Sequence, residues 1–162
     1  MTYEEWEKSV PDYLTGDPLW RLQAYRLALF CVDIGWADVS KLSNDPRMKS
    51  LADQLYRSVG SISANLAEGY SKSSGRDRSR FYEYALGSAR EARNWYYAGR
   101  HILGQAVTDH RCGQLTSIIR LLLTMLSDQR QQNLNEDRVP YRADSTHTSD
   151  DPIVTQHAAP IN

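Results

Sequence analysis

Apolar residues recur along this chain at steps of three and four, and nowhere do they alternate at steps of two over a useful length. Such a period marks helices that bury one face, and it leaves no strand from which to build a sheet. Four stripes can be read. Leu22, Tyr25, Leu29, Val32, Trp36 and Val39 form the first, behind Asp17-Pro18, where the carboxylate caps and proline takes the first helical position. Asp45-Pro46 repeats that start before Met48, Leu51, Leu55, Val59, Ile62 and Leu66, and Gly69 offers a left-handed stop. Ser74 to Asp77 makes a weak capping box ahead of Phe81, Ala85, Ser88, Ala92, Trp95, Gly99 and Leu103, with an end near Gly104. Thr108 or Asp109 opens the last stripe, carried by Cys112, Leu115, Ile119, Leu122 and Leu126.

The links between these segments are short, so the helices should lie antiparallel. The expected fold is all-α, an up-down-up-down four-helix bundle over residues 18–132, large enough in a chain of 162 residues for one real core. Residues 1–17 form an arm whose Trp6, Val10, Tyr13 and Leu14 can pack. From about residue 133 the periodicity gives way to polar residues and scattered proline. A tail over 133–162 lacks the apolar area to offset its ordering entropy and is expected to be disordered. No run approaches the ~20 apolar residues of a membrane span. The acidic start Met1-Thr2-Tyr3-Glu4-Glu5-Trp6 has no apolar signal region. Cys31 and Cys112 sit apart within helical patterns and read as reduced thiols. A cytoplasmic location follows as an expectation.

The segment from Ser58 to Glu91 carries the most specific pattern. Small residues cluster on both sides of the Ser/Gly break: Gly60, Ala64 and Ala67 before it, Ala85, Ser88 and Ala92 after it. They would let two helix axes approach closely. Asn65 and Glu68 stand beside that contact and need partners if buried, so with Gly69 they read as a structural motif fixing helix pairing. Ser61-Ile62-Ser63-Ala64-Asn65-Leu66-Ala67-Glu68-Gly69-Tyr70 and Ala85-Leu86-Gly87-Ser88-Ala89-Arg90-Glu91 resemble the four-helix-bundle family of the 23S ribosomal RNA intervening-sequence proteins. The accessory variability proteins of diversity-generating retroelements are similar. The resemblance covers roughly residues 19–131. It implies a bundle that assembles as a ring-like homopentamer, with RNA or a partner such as a reverse transcriptase.

Two helices carry a second apolar face. Trp20, Ala24, Leu27, Cys31 and Ile34 run nearly opposite the first stripe; Tyr82, Leu86, Ala89, Arg93 and Tyr97 form a face distinct from that of Phe81. Extended apolar faces are costly to leave in water. Self-association through Trp20, Leu27, Cys31, Ile34, Tyr82 and Leu86 is the expectation, and the competing reading folds residues 1–16 or the tail over one face.

Catalytic patterns are missing. The residues three after Glu68, Glu83 and Glu91 are Ser71, Leu86 and Asn94, not the histidines of a di-iron bundle. Cysteines and histidines are scattered singly, unlike a zinc cluster. No phosphate-binding loop or dinucleotide fingerprint occurs. A helical ribonuclease would place an Arg four to six residues before a His, but Arg93 is eight before His101 and Arg100 adjacent to it. No enzyme, metal or cofactor is expected. The net charge of −1 hides an asymmetry, since Lys72 to Arg100 holds seven basic residues against three acidic ones. Arg76, Arg80, Arg90, Arg93 and Arg100, with Tyr97 interleaved, are the candidate nucleic-acid contacts, arginine for phosphate and aromatic for base. The reading is therefore a non-enzymatic oligomer, RNA-associated or an accessory scaffold, with an adaptor for a protein partner as the alternative.

Overall fold

The computed structural model describes residues 1–136. Among them the chain forms an arm of two short helices, α1 (Tyr3–Ser9) and α2 (Asp12–Thr15), and four long helices: α3 (Gln23–Ser43), α4 (Lys49–Tyr70), α5 (Gly75–Ala98) and α7 (Gln105–Glu136). A single turn, α6 (Arg100–Leu103), joins the last two. The long helices close a ring, with α3 against α4, α4 against α5, α5 against α7 and α7 back against α3. Short links reverse the chain each time, giving the antiparallel up-down-up-down bundle. The last helix continues to Glu136, past the boundary at 132, and residues 137–162 of the tail expected over 133–162 lie outside the described residues.

The start and stop signals act locally, with shifts of a few residues. Asp17 accepts from the Leu19 N–H and Asp45 from the Arg47 N–H, but each caps a 3-10 turn that precedes the long helix. Ser74 caps α5 through the Asp77 N–H, while the Asp77 carboxylate turns to Arg80 and leaves the box half-made. Gly104 has φ of 88°, a backbone that side-chain-bearing residues rarely adopt, and it lets α7 begin at Gln105 rather than at Thr108. Thr108 is buried and donates back to the Gly104 carbonyl.

The inner face of α3 differs from the expected stripe. Ala24, Ala28, Cys31, Gly35, Asp38 and Leu42 point inward and are buried, whereas Trp36 is 64% exposed and Leu22, Leu29, Val32 and Val39 are half-buried. The reason is steric. Tyr96 of α5, 1% exposed, occupies the bundle centre, and a Cβ on Gly35 would lie 3.3 Å from its hydroxyl. Small residues on α3 leave room for that ring. The outer face of α3 is covered by the arm: Trp6 is buried among the rings of Tyr3, Trp20 and Phe30 and donates its indole N–H to Asp33. Glu7 accepts from Arg26 at 2.8 Å beside it.

The helix-two contact also moves. Ala64 is exposed, and nothing lies within 4 Å of where a Gly60 Cβ would be. The inward residues are Ser58, Val59, Ile62, Ser63 and Leu66, against Ala85, Ala89 and Ala92 of α5. Close approach occurs instead at Gly69, where a Cβ would meet the Tyr82 ring at 2.8 Å and the Phe81 Cβ at 3.0 Å. Gly69 lies inside α4 with right-handed backbone, so it is there for want of space and not as a left-handed stop. Asn65 donates to the Ser61 carbonyl and Glu68 pairs with Lys72. Both spend their polar atoms on their own helix end, and neither pins helix four to helix five.

Candidate nucleic-acid interface

The five arginines proposed from the sequence do not share one face. Arg76 and Arg80 are exposed near the start of α5, where Arg80 pairs with Asp77 at 3.4 Å and lies over the Phe81 ring with Lys72. Arg93 is half-buried and donates to the Thr116 hydroxyl of α7 at 3.4 Å, so its charge is held in helix packing. Arg100 lies 4.1 Å over the Tyr97 ring and donates to the Tyr97 carbonyl. This stacked pair is partly open to solvent, with Tyr97 exposed. Arg90 is exposed and lines a groove.

That groove, of about 530 Å³, runs between α5 and α7. Leu86, Gly87, Leu123 and Leu126 form its floor, and Arg90 and Arg130 its charged rim. Arg130 donates to Glu83 at 3.2 Å across the groove, with both side chains exposed. On α7, Thr116, Arg120, Leu123, Ser127 and Arg130 follow at steps of four and three, so Arg120, itself exposed, shares this flank. The sequence reading missed Arg120 and Arg130. Their signal was a second, mixed stripe on the last helix, flanking the leucines that mark its core face.

Three of the proposed interface residues are already enclosed. Cys31, Tyr82 and Leu86 are buried in this chain's own core, and Trp20, Leu27 and Ile34 are half-buried. The second apolar faces exist, but the arm and the neighbouring helices use most of them within one chain. Burial pushes the Cys31 thiol up to about 12 and raises the Cys112 thiol as well.

A buried polar cluster was also missed. Asp38 of α3, 7% exposed, accepts from the Tyr96 hydroxyl at 3.1 Å and from Arg111 Nε at 2.7 Å, joining α3, α5 and α7. Arg111 Nη1 lies 2.8 Å from His110 Nδ1, the ring nitrogen that must then be the acceptor. Burial and the Asp38 carboxylate drive the Tyr96 hydroxyl far above its ordinary titration range.

Fold and flank together define an antiparallel four-helix bundle with an arginine-rimmed groove on one side. A family model described as 23S rRNA-intervening sequence protein matches residues 21–128, and the chain belongs to that family. Both motifs quoted above fall inside the match. Among solved structures, a protein of unknown function from the S23 ribosomal protein family of Bacteroides thetaiotaomicron is similar, with a TM-score of 0.60 at 21% identity, covering 64% of this chain and 97% of that one. At that identity the likeness is one of fold. No curated protein matches the chain. Among the described residues no helix is long and apolar enough to cross a membrane.

Proposed function

We propose that the protein is a non-catalytic, self-associating scaffold of the cytoplasm that contacts RNA through the α5–α7 flank. The observation that carries this reading is the groove: exposed Arg90 and Arg130 line it, Arg120 shares its helix face, and Glu83 is the acid among its lining residues. Guanidinium groups at a shallow groove suit phosphates, and the leucine floor tolerates any base. The family's name, which sets its members beside 23S rRNA, supports RNA as the polyanion. Filter binding of single-stranded RNA at two salt concentrations tests it. Arg90→Gln, Arg120→Gln and Arg130→Gln together should weaken binding across sequences and lower the salt slope by about 2, at roughly 0.7 per phosphate contact. Wild-type protein that ignores RNA at low salt would overturn the reading.

One observation favours the alternative of a protein-binding adaptor. Trp36 is largely exposed and packs edge-on against Tyr56 of α4 at 5.8 Å, an aromatic pair of the kind that anchors interfaces. The same pair supports self-association, with the pentamer implied by family resemblance as the proposed assembly. Light scattering should return five times the 18.5 kDa chain mass, and Trp36→Glu should lower it. A wild-type monomer at micromolar concentration would overturn the assembly.

A further inference from the structure

At the end of the bundle where α4 stops and α5 starts, the four long helices part around a cavity of about 550 Å³. Leu22 and Met125 supply apolar walls. Tyr82, 4% exposed as a residue, also lines this cavity, and its hydroxyl makes no hydrogen bond among the described residues. Desolvation raises the Tyr82 pKa, so the hydroxyl stays protonated. Arg78 is half-buried, with Nη2 donating to the Lys72 carbonyl at 2.9 Å and Nη1 to Gln129 Oε1 at 3.4 Å. That leaves further N–H groups of its five for a ligand. Tyr70, 40% exposed, also lines the cavity and pairs with no aromatic ring among the described residues. Asp128 is exposed at the rim and makes no ion pair among the described residues.

We propose that this cavity binds a guanine base, from an unpaired position in RNA or from a free nucleotide. The inference rests on the RNA reading above for its first source and on the cavity alone for its second. The ligand should be flat, because an open tyrosine ring and a guanidinium plane both favour stacking. Its edge should offer donors to the Asp128 carboxylate and acceptors to the Arg78 guanidinium and the Tyr82 hydroxyl. Of the four RNA bases, guanine alone offers two adjacent N–H donors, N1–H and N2–H, that a carboxylate accepts together. Its O6 and N7 are the acceptors that Arg78 and the Tyr82 hydroxyl require. Adenine would set its N1 lone pair against Asp128, cytosine pairs one amino group with a lone pair, and uracil has a single N–H between carbonyls.

The experiment titrates isotopically labelled full-length protein with guanosine monophosphate, adenosine monophosphate and inorganic phosphate, reading chemical shifts. In parallel, two single-stranded RNA oligonucleotides differing only by one guanine or adenine are compared by filter binding. Guanosine monophosphate should shift Tyr70, Arg78 and Tyr82 and bind at least tenfold tighter than adenosine monophosphate, with phosphate leaving the cavity unmoved. Asp128→Asn, at an exposed position, should keep the helical circular dichroism and abolish the preference. Tyr82→Phe should weaken guanine binding severalfold. Equal binding of the two nucleotides, or a preference that survives Asp128→Asn, would overturn the guanine pocket. Oligonucleotides that bind equally and with steep salt dependence would overturn its use in RNA recognition while leaving the α5–α7 reading intact. Guanine binding without any RNA binding would keep the pocket, with the free nucleotide as its ligand, and sink that reading.

Discussion

Replacing Asp38 with Ala is the most informative single change to the bundle. The carboxylate receives the Tyr96 hydroxyl at 3.1 Å and the Arg111 guanidinium at 2.7 and 3.4 Å, from two other helices. Removing it strands a hydroxyl on a residue 1% exposed and a guanidinium whose side chain is 17% exposed. An orphaned buried donor costs about 1–3 kcal/mol, and breaking one side of a buried ion pair costs about 3–5 kcal/mol. The two overlap, because one carboxylate serves both. Arg111 also retains a path to water, so a loss of about 3–4 kcal/mol is expected. Tyr96→Phe leaves the ion pair whole and should cost only about 1 kcal/mol.

Urea unfolding at fixed protein concentration measures these values, since self-association would make stability concentration-dependent. The m-value should stay constant while the midpoint falls. A double-mutant cycle with Arg111→Ala should return a coupling above about 1 kcal/mol, because the second change removes the stranded charge. If Asp38→Ala loses less than about 1 kcal/mol, the three-helix clamp contributes nothing and the argument from burial is refuted.

Gly69→Ala should lower the melting temperature, because its Cβ would press 2.8 Å against the Tyr82 ring, at about 1–3 kcal/mol, whereas Gly60→Ala, which meets nothing, should gain about 0.5–1 kcal/mol. Trp6→Ala should cost about 3 kcal/mol in the same assay by opening the pocket of rings around Phe30. The Cys31 thiol has an ordinary value of 9.0 and is held up to about 12, so the folded state keeps a proton that the unfolded chain releases. Stability is thus intact below pH 9 and falls as pH climbs toward 12. Replacing Cys31 and Cys112 with Ala should flatten the fall between pH 9 and 10, below the range where tyrosines add theirs.

What could be read from the sequence was set by side-chain bulk. On α4, Leu55, Val59, Ile62 and Leu66 stand at helical steps among polar neighbours, and all four are buried. On α3 the same rule picked Trp36, because hydropathy weighs a tryptophan above an alanine or glycine. The bundle needed the opposite, as the volume beside Gly35 is taken by Tyr96 from across the core. A residue chosen for what it leaves empty gives no periodic signal of its own. The arginines show a related limit. Their number was plain, but whether each one is free depends on partners far away in sequence, Thr116 for Arg93 and Glu83 for Arg130. Asp38 gave no sequence signal for the same reason, since its partners Tyr96 and Arg111 lie 58 and 73 residues downstream.

The clamp and the proposed cavity occupy opposite ends of the bundle. Tyr96, which bonds Asp38, and Tyr82, which lines the cavity, are separated by four turns of α5, about 21 Å at 1.5 Å per residue. Near the clamp the packing is polar, saturated and closed. Near the cavity the helices part, and Tyr82 and Arg78 line the opening, Arg78 fixed with donors to spare. A bundle pinned at one end can leave its other end imperfectly packed without losing its register, since helix pairing is already specified by the buried network. Stability and recognition should therefore come apart under mutation. Asp38→Ala should lower the unfolding free energy while leaving the guanine preference of the folded protein unchanged, and Asp128→Asn should do the reverse. A clamp variant that stays folded but loses its base preference would show the two ends to be coupled, and the division of labour along α5 would have to be abandoned.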